Sequence, residues 1–202
     1  LLSTQLLWLN LITDSFPVLA LGMEKEDADI MKRPPVRAEK SLFSKSSVSL
    51  IVFFGIYLTA VSVGVYAVTL KFCGNEVATA MTFLTMSFLE LFHSFNVRSE
   101  RQSLFRCGVA SNKVLLVTVA LAIVVNVMLA FGPLAPAFGL CALSWKQWLV
   151  VAGLSLSVIP VGEIYKLVIR AVSKRKVEKR KASYGKKRGV GKAAGITGSN
   201  AA

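Results

Sequence analysis

Asn10, Thr13 and Asp14 lie inside an otherwise apolar run, Leu6-Leu7-Trp8-Leu9-Asn10-Leu11-Ile12-Thr13-Asp14-Ser15-Phe16-Pro17. At about 100° per residue, helix positions i, i+3 and i+4 share a face, so this spacing predicts three oxygen-bearing side chains on one stripe. A carboxylate at membrane depth is costly and points to a functional site. Pro17 has no N–H to bond the carbonyl of Thr13, and its ring clashes there, which predicts an opened helix. A broken membrane helix with freed carbonyls beside such side chains is one way to build a desolvated cation site. Hard cations such as Ca²⁺ take oxygen ligands of this kind.

A second constellation runs through Ser87-Phe88-Leu89-Glu90-Leu91-Phe92-His93-Ser94. Glu90, His93 and Ser94 share a face by the same spacing, with Ser87 one turn earlier. Glu90 has leucine on each side, which predicts that it faces the bundle interior. There it is either a carboxylate that exchanges a metal ion for a proton or a structural partner of His93 or of a neighbouring helix. Cys73, Cys107 and Cys141 form no Cys-x-x-Cys pair, and with a single His they offer no zinc site. Cys73 and Cys141 are expected in loops on one side of the membrane, either paired or as isolated thiols.

The elements that must position these residues are membrane helices. Of the 202 residues, 54% are hydrophobic, more than a soluble domain of this size usually carries. Five stretches approach the roughly 20 residues that cross a bilayer: 1–22, 48–70, 77–95, 114–132 and 145–169. The expected fold is therefore all-α, a polytopic bundle of five transmembrane helices over 1–170, followed by a basic, disordered tail over 171–202. Leu1 is expected to begin inside a helix, as part of a longer protein. Of the 24 Lys and Arg, 22 fall in the two long connectors and the C-terminal segment, leaving only Lys71 and Lys146 on the opposite side. By the positive-inside rule, the long connectors and the C-terminus are cytoplasmic. Trp145 and Trp148 open the last helix at the depth expected of indole rings.

Several motifs carry a family resemblance. Leu7 through Pro17, then Ala20-Leu21-Gly22 and Asp29-Ile30-Met31-Lys32-Arg33-Pro34-Pro35, resemble the sixth transmembrane helix and following loop of P-type calcium-transporting ATPases. Glu90 through Asn96, then Ser99-Glu100-Arg101-Gln102-Ser103-Leu104, resemble the eighth helix and its loop in the sarcoplasmic-reticulum type. Plasma-membrane calcium pumps carry Gln at the position of Glu90. Sodium/potassium pumps have an acidic residue at that of Asn10, and manganese-transporting relatives have Met at that of Thr13. The resemblance covers roughly residues 1–170 and implies helices six to ten of a ten-helix unit. It implies that Asp14 bridges two calcium ions, that Asn10 serves the ion nearer the cytoplasm, and that Thr13 joins Glu90 on the other. Remaining ligands would come from helices four and five of the family, and protons are the implied counter-ion.

The connector 23–47 resembles the loop that touches the phosphorylation domain in these pumps. Glu24, Glu26, Asp27 and Asp29 follow the site helix, and Pro34-Pro35 stiffens the return. Those carboxylates lack the spacing and glycine of an EF-hand. The chain has no Asp-Lys-Thr-Gly motif and no Gly-x-x-x-x-Gly-Lys loop, so ATP, Mg²⁺ and catalysis would belong to domains of the parent protein. Residues 166–202 hold twelve basic residues and one acidic. They suit a solvated tail or an anionic lipid surface, whereas nucleic acid is not an expected partner. Short external loops and the absence of an organelle signal give a bacterial plasma membrane as the expected location. A secondary cation transporter and a non-transporting membrane subunit are the alternative functions.

Overall fold

A computed structural model describes residues 1–24, 45–98, 108 and 111–172. The expectations placed on most of connector 23–47, on Cys107 and on the basic tail lie outside the described residues. The chain divides into two units, Leu1–Glu163 and Ile164–Ala202. In the second, residues 164–172 are helical.

The first unit begins with α1 (Ser3–Trp8), a π-helical turn (Leu9–Asp14) and α2 (Ser15–Gly22). Then follow α3 (Lys45–Cys73), α4 (Asn75–Val97), α5 (Lys113–Phe131), a 3₁₀ turn (Ala135–Phe138) and α6 (Trp145–Leu156). Helix resumes over 158–163. No strand occurs among the described residues, as the all-α expectation requires. α3 and α4 overrun their expected spans at both ends, and only Gly74 separates them. Its φ of 85° is a left-handed conformation that suits glycine, and it folds α4 back along α3.

α4 is the central helix. It packs against α3, α5, α6, α2 and the π turn, and it contributes Ala80, Phe83, Leu84, Leu89 and Leu91 to the core. Lipid tails are as apolar as leucine, so association here rests on close packing and interhelix hydrogen bonds. Tyr57 and Ser157 hydroxyls lie 2.6 Å apart, and the Asn96 amide donates to the Val158 carbonyl at 2.8 Å. Ser155 donates to the Thr85 carbonyl.

Among the described residues, three helices are long and apolar enough to cross a membrane: Ser47–Cys73, Lys113–Phe131 and Trp145–Val172. The π turn divides the first hydrophobic stretch, and α4 carries Glu76, Glu90 and His93. α4 is the most enclosed helix, so its polar groups are shielded by protein rather than presented to lipid. Exposed Ile51, Ile56 and Val63 on α3, and Val117, Val124 and Met128 on α5, form the apolar outside expected of lipid-facing surface. Cys73 and Cys141 are free thiols.

Candidate functional site

The polar triplet sits in the π turn. With no N–H at Pro17, the carbonyls of residues 12 and 13 lose a donor, and the turn before it widens to i→i+5 bonding. The Ser15 hydroxyl donates to the Asn10 carbonyl, five residues back, at 3.2 Å. The helix is thus widened rather than opened, and α2 continues through Pro17 to Gly22. A turn of more than four residues keeps i and i+4 nearer alignment than i and i+3. Accordingly Asn10 and Asp14 are both exposed in this chain, whereas Thr13 is only 1% exposed. The single stripe read from a regular helix becomes two neighbouring faces.

Thr13 turns into the bundle, and its buried hydroxyl finds no hydrogen-bond partner among the described residues. The π turn packs on α4, where Glu90 is half-buried with Oε2 also unpartnered. The Asp14 carboxylate lies within electrostatic reach of Glu90. Two carboxylates that share a site repel when both are charged, and a cation between them relieves that repulsion. The rest of the second constellation is engaged elsewhere. Ser87 donates to the Phe83 carbonyl and Ser94 to that of Leu91, both on α4 itself. The His93 ring lies against Phe54 of α3, with centroids 4.2 Å apart. Among the described residues, no three His, Cys, Asp or Glu side chains gather. The candidate set holds two carboxylates, one amide and one hydroxyl, a hard-oxygen set.

Two clamps hold the helix that bears the π turn. At its first end Gln5, fully buried, donates to the Phe138 carbonyl at 2.8 Å, and Trp8 Nε1 donates to Asn126 Oδ1 at 3.2 Å. At its other end the Arg98 guanidinium meets Glu24 as a fork, Nη2 to Oε1 at 2.7 Å and Nε to Oε2 at 3.0 Å. Asn112 donates to Glu24 Oε2 at 2.7 Å and to the Ala20 carbonyl at 3.0 Å. Its Oδ1 caps α5 by accepting from Leu115 N–H. In the sequence Glu24 reads as part of an acidic connector, with nothing that ties it to Arg98 or Asn112. Partners more than seventy residues apart leave no local signal.

Glu24 lies beyond α2, outside the spanning segments. The hydrogen bond from Arg98, aided by Asn112 and the Arg98 charge, holds its carboxyl below the ordinary 4.5, against an opposing pull from partial burial. A carboxyl whose folded pKa lies below its unfolded one stabilises the fold above the unfolded value. That contribution is lost as pH falls through the folded value. Thermal melting of wild type and Glu24→Gln should therefore differ at neutral pH and converge below 4.5. Curves that stay parallel through that range would show that Glu24 contributes no such linkage.

Comparison with known proteins agrees with this architecture. The family described as cation transporting ATPase, C-terminus, matches residues 1–168. The chain is 35% identical over 180 residues to calcium-transporting ATPase 1 of Bacillus cereus, covering 80% of this chain and 20% of that protein. It is 30% identical over 169 residues to calcium-transporting ATPase 1 of Lactococcus lactis, covering 81% and 19%. With calcium-transporting ATPase type 2C member 1 of Mus musculus the identity is 32% over 183 residues, covering 89% and 20%. The chain thus spans about a fifth of the length of these relatives. It is a multi-pass integral membrane protein, and it belongs to the cation-transporting ATPase C-terminal family, the membrane C-terminal part of P-type cation pumps.

Proposed function

We propose that this chain is the C-terminal membrane part of an ATP-driven pump whose transported substrate is Ca²⁺, with Asn10, Thr13, Asp14 and Glu90 among its oxygen ligands. The observation that carries the proposal is the pair of buried, unpartnered oxygens, Thr13 Oγ1 and Glu90 Oε2, beside the Asp14 carboxylate. A fold leaves such groups unsatisfied at a cost of about 1–3 kcal/mol each, and a transported cation accounts for both at once. Similarity to calcium-transporting ATPases over most of the chain supports the choice of ion.

In this reading Asn10 and Asp14 are exposed here because helices outside this chain complete their surroundings. Asp14 and Glu90 hold the cation while it is bound and take up protons when it leaves, so protons travel the other way. ATP and Mg²⁺ act in a phosphorylation domain that connector 23–47 touches, and the domain division is 1–170 membrane part and 171–202 tail. The two long connectors and the C-terminus face the cytoplasm of a bacterial plasma membrane, and the basic tail meets anionic lipid rather than nucleic acid.

The test is ⁴⁵Ca²⁺ uptake by inverted vesicles containing the full-length protein. Uptake should require ATP, exceed that of vesicles lacking the protein, and discharge on adding a calcium ionophore. Uptake driven by a proton gradient without ATP would instead establish a secondary transporter.

A further inference from the structure

We infer that Glu24, Arg98 and Asn112 form a positioning latch that sets the spacing of Asp14 and Glu90, an inference that rests on the calcium-site reading above. The cluster joins the end of α2 to the end of α4 and the start of α5. The first of these helices follows directly on Asp14, the last residue of the π turn, and the second carries Glu90. Glu90 lies eight residues from Arg98, about 12 Å along α4, a rigid distance for a helix at about 1.5 Å per residue.

Three features separate this cluster from an ordinary surface ion pair. The Arg98 side chain is only 2% exposed, and its contact with Glu24 is a two-point fork. A bidentate pair with the arginine desolvated and Glu24 24% exposed is directional in a way that a fully exposed pair is not. Arg98 also donates to the Gly108 carbonyl at 3.1 Å and to the Ser111 hydroxyl, so these two residues ahead of α5 share the same guanidinium. Asn112 has both ends of its amide engaged, with α2 and Glu24 on one side and α5 on the other.

The position of the irregular turn makes the latch consequential. α1 is fixed by Gln5 and Trp8, and α2 by the latch. Between these clamps lies the π turn with Asn10, Thr13 and Asp14. A regular helix resists axial slip, whereas a π turn is where a helix absorbs an extra residue or a small rotation. A shift of α2 against α4 at the latch is therefore taken up in the turn and changes the separation of Asp14 from Glu90. Glu24, Arg98 and Asn112 act through those carboxylates; none of them is a ligand.

Equilibrium ⁴⁵Ca²⁺ binding to the purified full-length protein tests this. Glu24→Gln and Arg98→Gln should each weaken affinity about tenfold, within the usual range of coupling between sites. The number of sites at saturating calcium should be unchanged. The double variant Glu24→Gln/Arg98→Gln should bind no more weakly than the weaker single, because the pair acts as one unit. A misfolded fraction would lower the number of sites and leave affinity intact, and that result would overturn the latch. So would wild-type affinity in both single variants, or losses that add in the double. If wild type itself binds no calcium, the site reading fails and the latch falls with it. Binding by wild type with indifferent variants removes the latch alone.

Discussion

Asp14→Asn in the full-length protein is expected to abolish calcium-dependent phosphorylation from ATP at low calcium. The substitution preserves size and shape and removes one formal charge. Ligand charge count is a main control on calcium affinity, so the loss should be roughly a hundredfold or more. Glu90→Ala should have the same outcome, because it removes the only carboxylate of α4 that lies near the π turn. Thr13→Val makes the sharper test. The Thr13 hydroxyl is buried and has no hydrogen-bond partner among the described residues, so replacing it with a methyl group breaks no hydrogen bond there. Exchanging an unsatisfied buried hydroxyl for an apolar group is neutral or stabilising. Thr13→Val should therefore melt no lower than wild type while losing calcium affinity by roughly tenfold, as a site short of one oxygen ligand would. The readout is phosphoenzyme formed from radiolabelled ATP across a calcium titration, beside a melting curve. Normal phosphoenzyme at low calcium in Asp14→Asn and Glu90→Ala would remove these residues from the site.

The candidate ligands are legible in the sequence through composition: polar residues in apolar runs stand out whatever the helix geometry. Their arrangement is less legible. The shared stripe of Asn10, Thr13 and Asp14 followed from a regular helix, and the π turn sends Thr13 inward while Asn10 and Asp14 remain exposed. Pro17 was the available signal. It announces a disturbed ladder of hydrogen bonds but does not specify whether the ladder breaks or widens. Ser15, whose hydroxyl reaches the Asn10 carbonyl, was the missing hint, since Ser and Thr hydroxyls readily take up freed carbonyls.

The helices themselves were legible because an unbroken apolar run of bilayer length has few other fates. Their mutual packing was not. Gln5, Asn112 and Asn126 read as ordinary polar residues, yet they supply the hydrogen bonds that hold α1 and α2 at both ends. In a lipid environment such bonds matter because nothing comparable to water competes for them, and they join residues about ninety to more than a hundred and thirty positions apart. The same asymmetry explains α4. Its Glu and His are costly in a membrane helix, and its central position is what makes those residues tolerable.

Gly162→Ala should be strongly damaging although it lies away from the candidate site. A Cβ at residue 162 would lie 2.5 Å from Cγ and 2.6 Å from Nδ2 of Asn96, and it would also strike Oδ1. Asn96 is buried and cannot swing away without giving up its hydrogen bond to the Val158 carbonyl. Overpacking costs about 1–3 kcal/mol, and a stranded buried amide adds about as much again. Thermal unfolding in detergent should show a clear fall in midpoint for Gly162→Ala. In Gly162→Ala/Asn96→Ala the clash is gone, so the double variant should melt above the single, a positive coupling that two independent defects would not give. An unchanged midpoint in Gly162→Ala would show that α4 and the 158–163 helix do not meet in this way. Neither residue is a candidate ligand, so the folded fraction of each variant should bind calcium with wild-type affinity. Thr13→Val is expected to behave in the opposite sense, keeping its fold and losing its ion, and the contrast separates packing from ligation within one small bundle.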